Sequence, residues 1–359
     1  MVKLALMMKT TQRDITCKIA EKLREYLSDV PFCSVAESTA KSLPAAPEVD
    51  LVFRLRVGND TRLLLVVVKR TGQPRVARDA VNQLLRYQSR FPETYCVFSA
   101  PYITEAAGKI ATDDGVGYVD LAGNCRLCFD NVYIRRSDWP NPAAERRELR
   151  SLYSPKAERI LRVLLSEPRR TRKIEPLAAE AQVSLGLASK VKRLLEDREW
   201  LIREADGFRL TQPDNLLADW ARNYKYSRNV VQDFYSLDSI PQMESKLAQV
   251  CEDAGCDYAL TGFSAGARLA PMVRYQRATA YVSGRIDEVA RRMGLKRVTS
   301  GANISLIEPY DEGVFLGVQC VDGIRIVSAI QAYLDLLNFH GRGEEAAEAI
   351  LDEVIKPTW

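Results

Sequence analysis

Histidine is almost missing from this 359-residue chain, where His340 stands alone. One late imidazole leaves no Ser/His/Asp hydrolase constellation to propose and no histidine-rich metal chemistry, because both need imidazoles gathered with other reactive side chains. There is no GxxxxGK[ST] phosphate loop and no GxGxxG following a strand, so nothing announces nucleotide binding. No apolar run approaches the roughly 20 residues that span a bilayer, so no membrane partner is expected. Met1-Val2-Lys3 opens onto a short apolar run and then Lys9, which is not the pattern of a secretory leader. A second CxxC is missing as well. Cys125-Arg126-Leu127-Cys128 has the spacing of half a zinc site, and Cys251 and Cys256 do not complete it, so neither a metal nor another cofactor is expected. The remaining cysteines lie mostly in apolar stretches, as Cys96 does between Tyr95 and Val97, and suit reduced core positions. These absences together predict a cytoplasmic, reduced protein.

What is present is ordinary in amount and uneven in placement. Hydrophobic residues make up 47% and charged residues 27%, enough for several cores. At roughly 100–200 residues per domain the length predicts two or three domains. The net charge is only +4, yet Arg135–Lys173 holds twelve Lys/Arg against five Asp/Glu, leaving the rest net acidic. Such a belt favours a polyanionic partner; its plainer reading is a solvated charged linker.

The belt leads into Ile174–Leu210. Leu177, Ala178 and Ala181 make one apolar helical face ending at Val183, and Ser184 is placed to cap a second helix. On that second helix Leu187, Val191, Leu194 and Leu195 recur at steps of three and four and must face a core. Ser189, Lys190 and Arg193 lie on its other side. After Trp200 the pattern turns to alternation, with Asp206-Gly207 as a turn between Leu201–Ala205 and Phe208–Leu210. Helix, turn, helix and hairpin is the plan of a winged helix-turn-helix, whose second helix enters the major groove of double-stranded DNA. Plain helix pairs also occur as packing units. The hairpin, the two-sided second helix and the basic approach favour the DNA reader. Ser189, Lys190 and Arg193 are then the expected groove residues, Lys192, Arg203 and Arg209 the expected phosphate contacts, which orient without specifying sequence, and Ser184 at the helix start is counted with the DNA-binding residues.

Upstream, Ile15, Ile19, Leu23 and Leu27 predict an amphipathic helix. Strands follow at Val49–Val57, Leu63–Val68, Tyr95–Ser99 and Gly117–Leu121, with helices at Ala77–Arg90 and Glu105–Asp113 and a closing pair over Cys125–Ile134. That order predicts an α/β domain over 1–140 with a partly parallel sheet. Asp50, the strand end Val67-Val68-Lys69 and Gln83 resemble the PD-(D/E)xK nuclease core. Its chemistry needs a second acid two residues before the lysine to hold Mg²⁺, and here Val67 occupies that position, with Glu48 as a substitute donor. The frame is therefore read as a degenerate restriction-endonuclease-like domain without activity.

A winged helix-turn-helix over 150–212 and a last domain over 213–359 complete the expected α/β and α+β architecture. In the last domain strands are expected near Tyr258–Thr261, Ala278–Val282, Ile304–Ile307 and Val314–Val318, with helices at Ser328–Asn338 and Glu344–Ile355. Thr261-Gly262-Phe263-Ser264-Ala265 resembles the glycine-serine turn of nucleotidyltransferases. Those enzymes carry a pair of acids on the next strand, whereas Ala278–Ser283 has none and Asp287 lies beyond it. A degenerate nucleotidyltransferase-like frame, or a turn that only packs, fits better than an enzyme.

Four stretches, 115–127 (GVGYVDLAGNCRL), the central helix-turn-helix, 258–271 (YALTGFSAGARLAP) and 342–359, together resemble the AbiEi family of type IV toxin–antitoxin antitoxins, in particular its long bacterial regulators. The resemblance implies a sequence-specific DNA-binding transcriptional regulator that represses its own operon. It further implies a C-terminal domain opposing a nucleotidyltransferase-type toxin without a stable complex. Pairing on two half-sites would make it a homodimer. Two rivals remain: a metal-dependent nuclease that uses Asp50 and Lys69 and is addressed by the central domain, and an antitoxin acting through direct toxin contacts.

Overall fold

The computed structural model describes residues 11–39, 49–137, 139–140, 152–272 and 274–359. The chain divides into two units, Met1–Arg147 with Glu196–Glu199, and Glu148–Leu195 with Trp200–Trp359.

The N-terminal unit opens with α1 (Gln12–Ser28). Its start is fixed by a reciprocal cap: the Asp14 amide donates to the Thr11 hydroxyl, and the Thr11 amide donates to the Asp14 carboxylate. Ile15, Ile19, Leu23 and Leu27 are all buried, as their spacing predicts. There follow β1 (Cys33–Thr39), β2 (Leu51–Val57), β3 (Asp60–Val68), α2 (Pro74–Gln88), β4 (Thr94–Ala100), α3 (Glu105–Asp113), β5 (Gly117–Asp120), β6 (Cys125–Phe129) and β7 (Val132–Arg136). The seven strands lie side by side in chain order. The helical crossovers make β3, β4 and β5 parallel; the hairpin partners on either flank are antiparallel. Strand alternation builds two apolar layers. Leu64, Val66 and Val68 join the α1 residues, while Leu65 and Val67 join Ala77, Val81 and Leu84 of α2.

The second unit begins with α4 (Pro155–Ser166), α5 (Ile174–Glu180) and α6 (Leu185–Asp197). The hairpin β8 (Leu201–Glu204) and β9 (Gly207–Leu210) and then α7 (Pro213–Asn223) follow. A mixed sheet and its helices complete the unit: β10 (Val230–Tyr235), α8 (Ile240–Ala254), β11 (Tyr258–Leu260), α9 (Gly262–Leu269), β12 (Ala278–Val282), α10 (Ile286–Met293), β13 (Lys296–Arg297), β14 (Ile304–Glu308), β15 (Gln319–Val321), β16 (Ile324–Ile326), α11 (Ala329–Leu336) and α12 (Gly343–Ile350). The strand order is β13-β10-β14-β12-β11-β16-β15. Leu161 of α4, Leu195 of α6, Trp220 of α7 and Ile304 of β14 belong to one apolar cluster, so the expected segments 150–212 and 213–359 share a core.

One expected strand is corrected. Val314–Val318 is not extended: Glu312–Phe315 is a 3₁₀ turn. The Asp311 carboxylate accepts the Gly313 amide at 2.8 Å, and this local bond wins over sheet pairing. The strand starts only at Gln319.

Candidate nucleic-acid interface

The turn between α5 and α6 is built from backbone bonds. Gln182 takes a left-handed conformation (φ 53°). Its amide donates to Ala179, and the Val183 amide reaches back to Ala178 at 2.9 Å, which closes α5 in the manner of a Schellman cap. Ser184 follows at once and opens α6, its hydroxyl accepting the Leu187 amide at 3.3 Å. Two helices are thus joined by a minimal connection whose geometry is fully satisfied.

Helix α6 has two chemically distinct sides. Ala188, Val191, Leu194 and Leu195 are buried. Ser189, Lys190 and Arg193 are exposed, as is Ser184 at its start. Lys192 is half-buried, with its ammonium 5.1 Å from the centre of the Phe208 ring. On the hairpin Arg203 is exposed, and Arg209 is half-buried and donates from Nε to Glu204 Oε1 at 2.7 Å.

The hairpin has a third neighbour that the sequence did not signal. Arg172 and Phe208 exchange both backbone hydrogen bonds, at 2.9 and 3.0 Å, so the segment before α5 acts as a short extra strand. Gly207 makes this approach possible: a Cβ there would stand 2.2 Å from the Arg172 carbonyl oxygen.

The basic belt divides once its partners are seen. Arg172 is buried and donates to Glu180, Glu167 and the Val163 carbonyl. Arg159 is held by Asp311, at 2.6 Å from Nε. Arg162 is buried against Trp220 and donates to Gln331. A buried cation must be paired to be tolerated at all, so these three serve the fold. Arg169 and Arg170 remain exposed, the latter beside Glu167. Residues 141–151 of the belt lie outside the described residues.

The two enzyme-like frames are also in view. A cleft of about 1140 Å³ is lined by Gln12, Asp50, Lys69, Gln83 and Arg86 among others. The Asp50 carboxylate accepts the Val68 amide at 2.7 Å, and Lys69 Nζ donates to Gln83 Oε1 at 3.1 Å. Burial raises the Asp50 carboxyl, opposed by the Val68 amide and the Lys69 charge. Val67 is sealed in the apolar layer, and Glu48 lies outside the described residues. Asp50 and Asp79 are the carboxylates in this lining, and among the described residues no group of three or more Asp, Glu, His or Cys side chains is gathered to hold a metal ion.

At the glycine-serine turn, Gly262 (φ +55°) packs against Phe339, whose ring would stand 2.8 Å from an added Cβ. Ser264 is buried and its hydroxyl accepts the Thr279 amide at 3.1 Å. Both groups are committed to packing. Cys125 and Cys128, three apart on one strand, point to opposite faces; the first is buried and the second exposed. They cannot chelate one ion from there.

No curated protein matches the chain. Two solved structures of EndoMS, one in a complex with dsDNA and one in the apo form, align at 16% and 14% identity and TM-scores of 0.23 and 0.22. The alignments cover 29% and 30% of this chain and 43% and 45% of theirs, so the chain spans less than half of either. Residues 209–356 match the family described as transcriptional regulator, AbiEi antitoxin, type IV TA system. The likeness to that family is confined to this segment, which begins in the second strand of the hairpin and runs almost to the last residue.

Proposed function

We propose that the chain is a sequence-specific DNA-binding transcriptional regulator that represses its own operon, with residues 150–212 acting as a winged helix-turn-helix. The observation that carries this reading is the two-sided α6: an apolar side locked in the core and an exposed side of Ser189, Lys190 and Arg193. In this reading α6 lies in the major groove, with Arg193 and Lys190 hydrogen-bonding guanine edges and Ser189 adapting to its neighbours. Ser184 presents the N-terminal end of α6 to a phosphate, where the exposed amides and the helix dipole favour an anion. Lys192, Arg203 and Arg209 hold further phosphates and fix the register. The short extra strand through Arg172 supports the hairpin as a wing. The 209–356 match supports the regulator and antitoxin reading. A nucleotidyltransferase-type toxin is then the opposed activity, and a homodimer on two half-sites the assembly. The packed glycine-serine turn fits a nucleotidyltransferase-like frame without catalysis.

A gel-shift titration on the chain's own promoter tests the reading. Lys190→Ala with Arg193→Ala should weaken operator binding by about 2–5 kcal/mol while non-specific binding falls far less. Unchanged operator affinity in that double variant removes α6 as the reading helix.

A further inference from the structure

In the N-terminal unit, β6 and β7 bring two arginines face to face. Arg126 and Arg135 are directly opposed in the antiparallel register, and both are exposed. Like charges in that position repel. Among the described residues no acid lies within ion-pair distance of either. The next residue shows the contrast: Arg136 points to the other face, is paired with Asp29 at 3.0 Å and lies 4.3 Å over the Tyr26 ring. On the strand before, Tyr118 is the register partner of Arg126. Two pairs further along the hairpin stands Tyr133, 59% exposed, opposite the exposed Cys128. Cys125, Leu127, Phe129 and Val132 take the opposite side into the apolar layer against α1. Alternation therefore leaves Arg126, Arg135 and Tyr133 exposed on the sheet face where Tyr118, half-buried, packs beside Gly108 of α3.

We propose that this strip binds the phosphodiester backbone of a nucleic acid, as a second contact surface distinct from α6. Two opposed guanidiniums offer several N–H donors to one phosphate, in the fork geometry that suits its oxygens. The bound anion removes the repulsion that the empty hairpin carries. Tyr133 supplies an exposed ring on which an unpaired base can stack. A purely structural hairpin gains nothing from two opposed arginines that no acid among the described residues compensates, and an acid at either position would have stabilised it.

The test uses the full chain, and it does not depend on whether α6 reads an operator. The starting protein carries Lys190→Ala and Arg193→Ala, so that sequence reading through α6 is crippled and the remaining phosphate contacts of that segment form a constant background. Its affinity for a short random-sequence duplex and for an oligothymidylate of equal length is measured over a salt series. Adding Arg126→Gln and Arg135→Gln should weaken residual binding by about tenfold and flatten the salt dependence by about two phosphates, at a slope of roughly −0.9 per phosphate on duplex. The duplex and single-strand arms show which form the strip prefers. Arg135→Glu should abolish the same binding while leaving Tm equal or higher, because it replaces repulsion with an opposed ion pair. Residual binding that ignores the arginine changes, or no residual binding to either nucleic acid, overturns the proposal. Unchanged operator binding by Lys190→Ala/Arg193→Ala in the preceding experiment would sink the α6 reading and leave this one standing.

Discussion

The Arg162 guanidinium lies 4.9 Å from the centre of the Trp220 ring, and its Nε donates to Gln331 Oε1 at 3.1 Å. The arginine is 4% exposed and Glu158, one turn earlier, is fully buried. Glu158 accepts from Tyr310 and faces Arg228 at 3.4 Å, and burial raises its carboxyl against the pull of Arg162. A residue that sequence alone assigns to the basic belt thus ties α4 to α7 and α11. Arg162→Ala should cost about 3–5 kcal/mol, because it leaves a buried carboxylate with only one of its two neighbouring cations. Urea denaturation checks this, with the exposed Arg169→Ala as control, expected within about 0.5 kcal/mol of wild type. Equal midpoints for the two variants would mean that Arg162 is not a core residue.

A second buried acid should behave differently with pH. Asp335 accepts from Tyr224, Tyr281 and Gln331 on one oxygen and from Thr261 on the other. Burial nevertheless holds its carboxyl above the ordinary range, the four donors opposing it. The folded state therefore binds this proton more tightly than the unfolded chain, whose aspartates titrate near pH 4. The stabilising contribution is full below that value and declines as pH rises above it. Wild type should lose stability relative to Asp335→Asn as pH rises above about 4. Asp335→Ala, which orphans the hydroxyls, should cost about 3–5 kcal/mol. A difference between wild type and Asp335→Asn that stays flat or grows with pH contradicts the assigned direction.

Much of the fold was legible where side-chain periodicity is strong. Ile15, Ile19, Leu23 and Leu27 announce α1, and the two-sided pattern of 187–195 announces α6 because one face must be apolar. Strands with mixed polarity were not legible. β1 (Cys33–Thr39) is small and polar, and β10 (Val230–Tyr235) places Gln232 and Asp233 between its apolar ends. Both are set by pairing with distant strands rather than by their own pattern. Charge was legible as a count and illegible as a partnership. Arg159 meets Asp311 across 152 positions, and Arg162 meets Gln331 across 169. Only the fold shows which members of the basic belt are committed internally.

Cysteine reactivity reports the strand faces directly. Burial pushes the Cys96 and Cys125 thiols up to about 11. Cys17, Cys128 and Cys320 are exposed. The thiolate is the reacting species, so a shift of two units should make Cys96 and Cys125 about 100-fold slower toward iodoacetamide near pH 8. Mass spectrometry of the native protein should find Cys128 labelled and Cys125 spared, although they are only three residues apart. Equal labelling of the two would put them on the same side of the sheet and reopen the CxxC as a chelating pair.

The close approach of Arg172 to the hairpin gives the sharpest structural prediction for the proposed wing. At Gly207 an added Cβ would meet the Arg172 carbonyl oxygen at 2.2 Å and its carbon at 2.8 Å, both backbone atoms that cannot turn aside. Gly207→Ala must therefore push the two segments apart and break the paired bonds between Arg172 and Phe208, costing about 2–3 kcal/mol. Gly58→Ala is the comparison: its φ of +62° is left-handed but nothing lies within 4 Å, so its cost should be about 1 kcal/mol. Hydrogen exchange separates steric separation from general destabilisation, because the Phe208 and Arg172 amides should lose protection first in Gly207→Ala and keep it in Gly58→Ala. DNA affinity should fall in Gly207→Ala as well, since Arg203 and Arg209 ride on the displaced hairpin. A Gly207→Ala protein with wild-type stability and intact protection at Phe208 would show that Arg172 is not a third strand, and the wing would then stand on β8 and β9 alone.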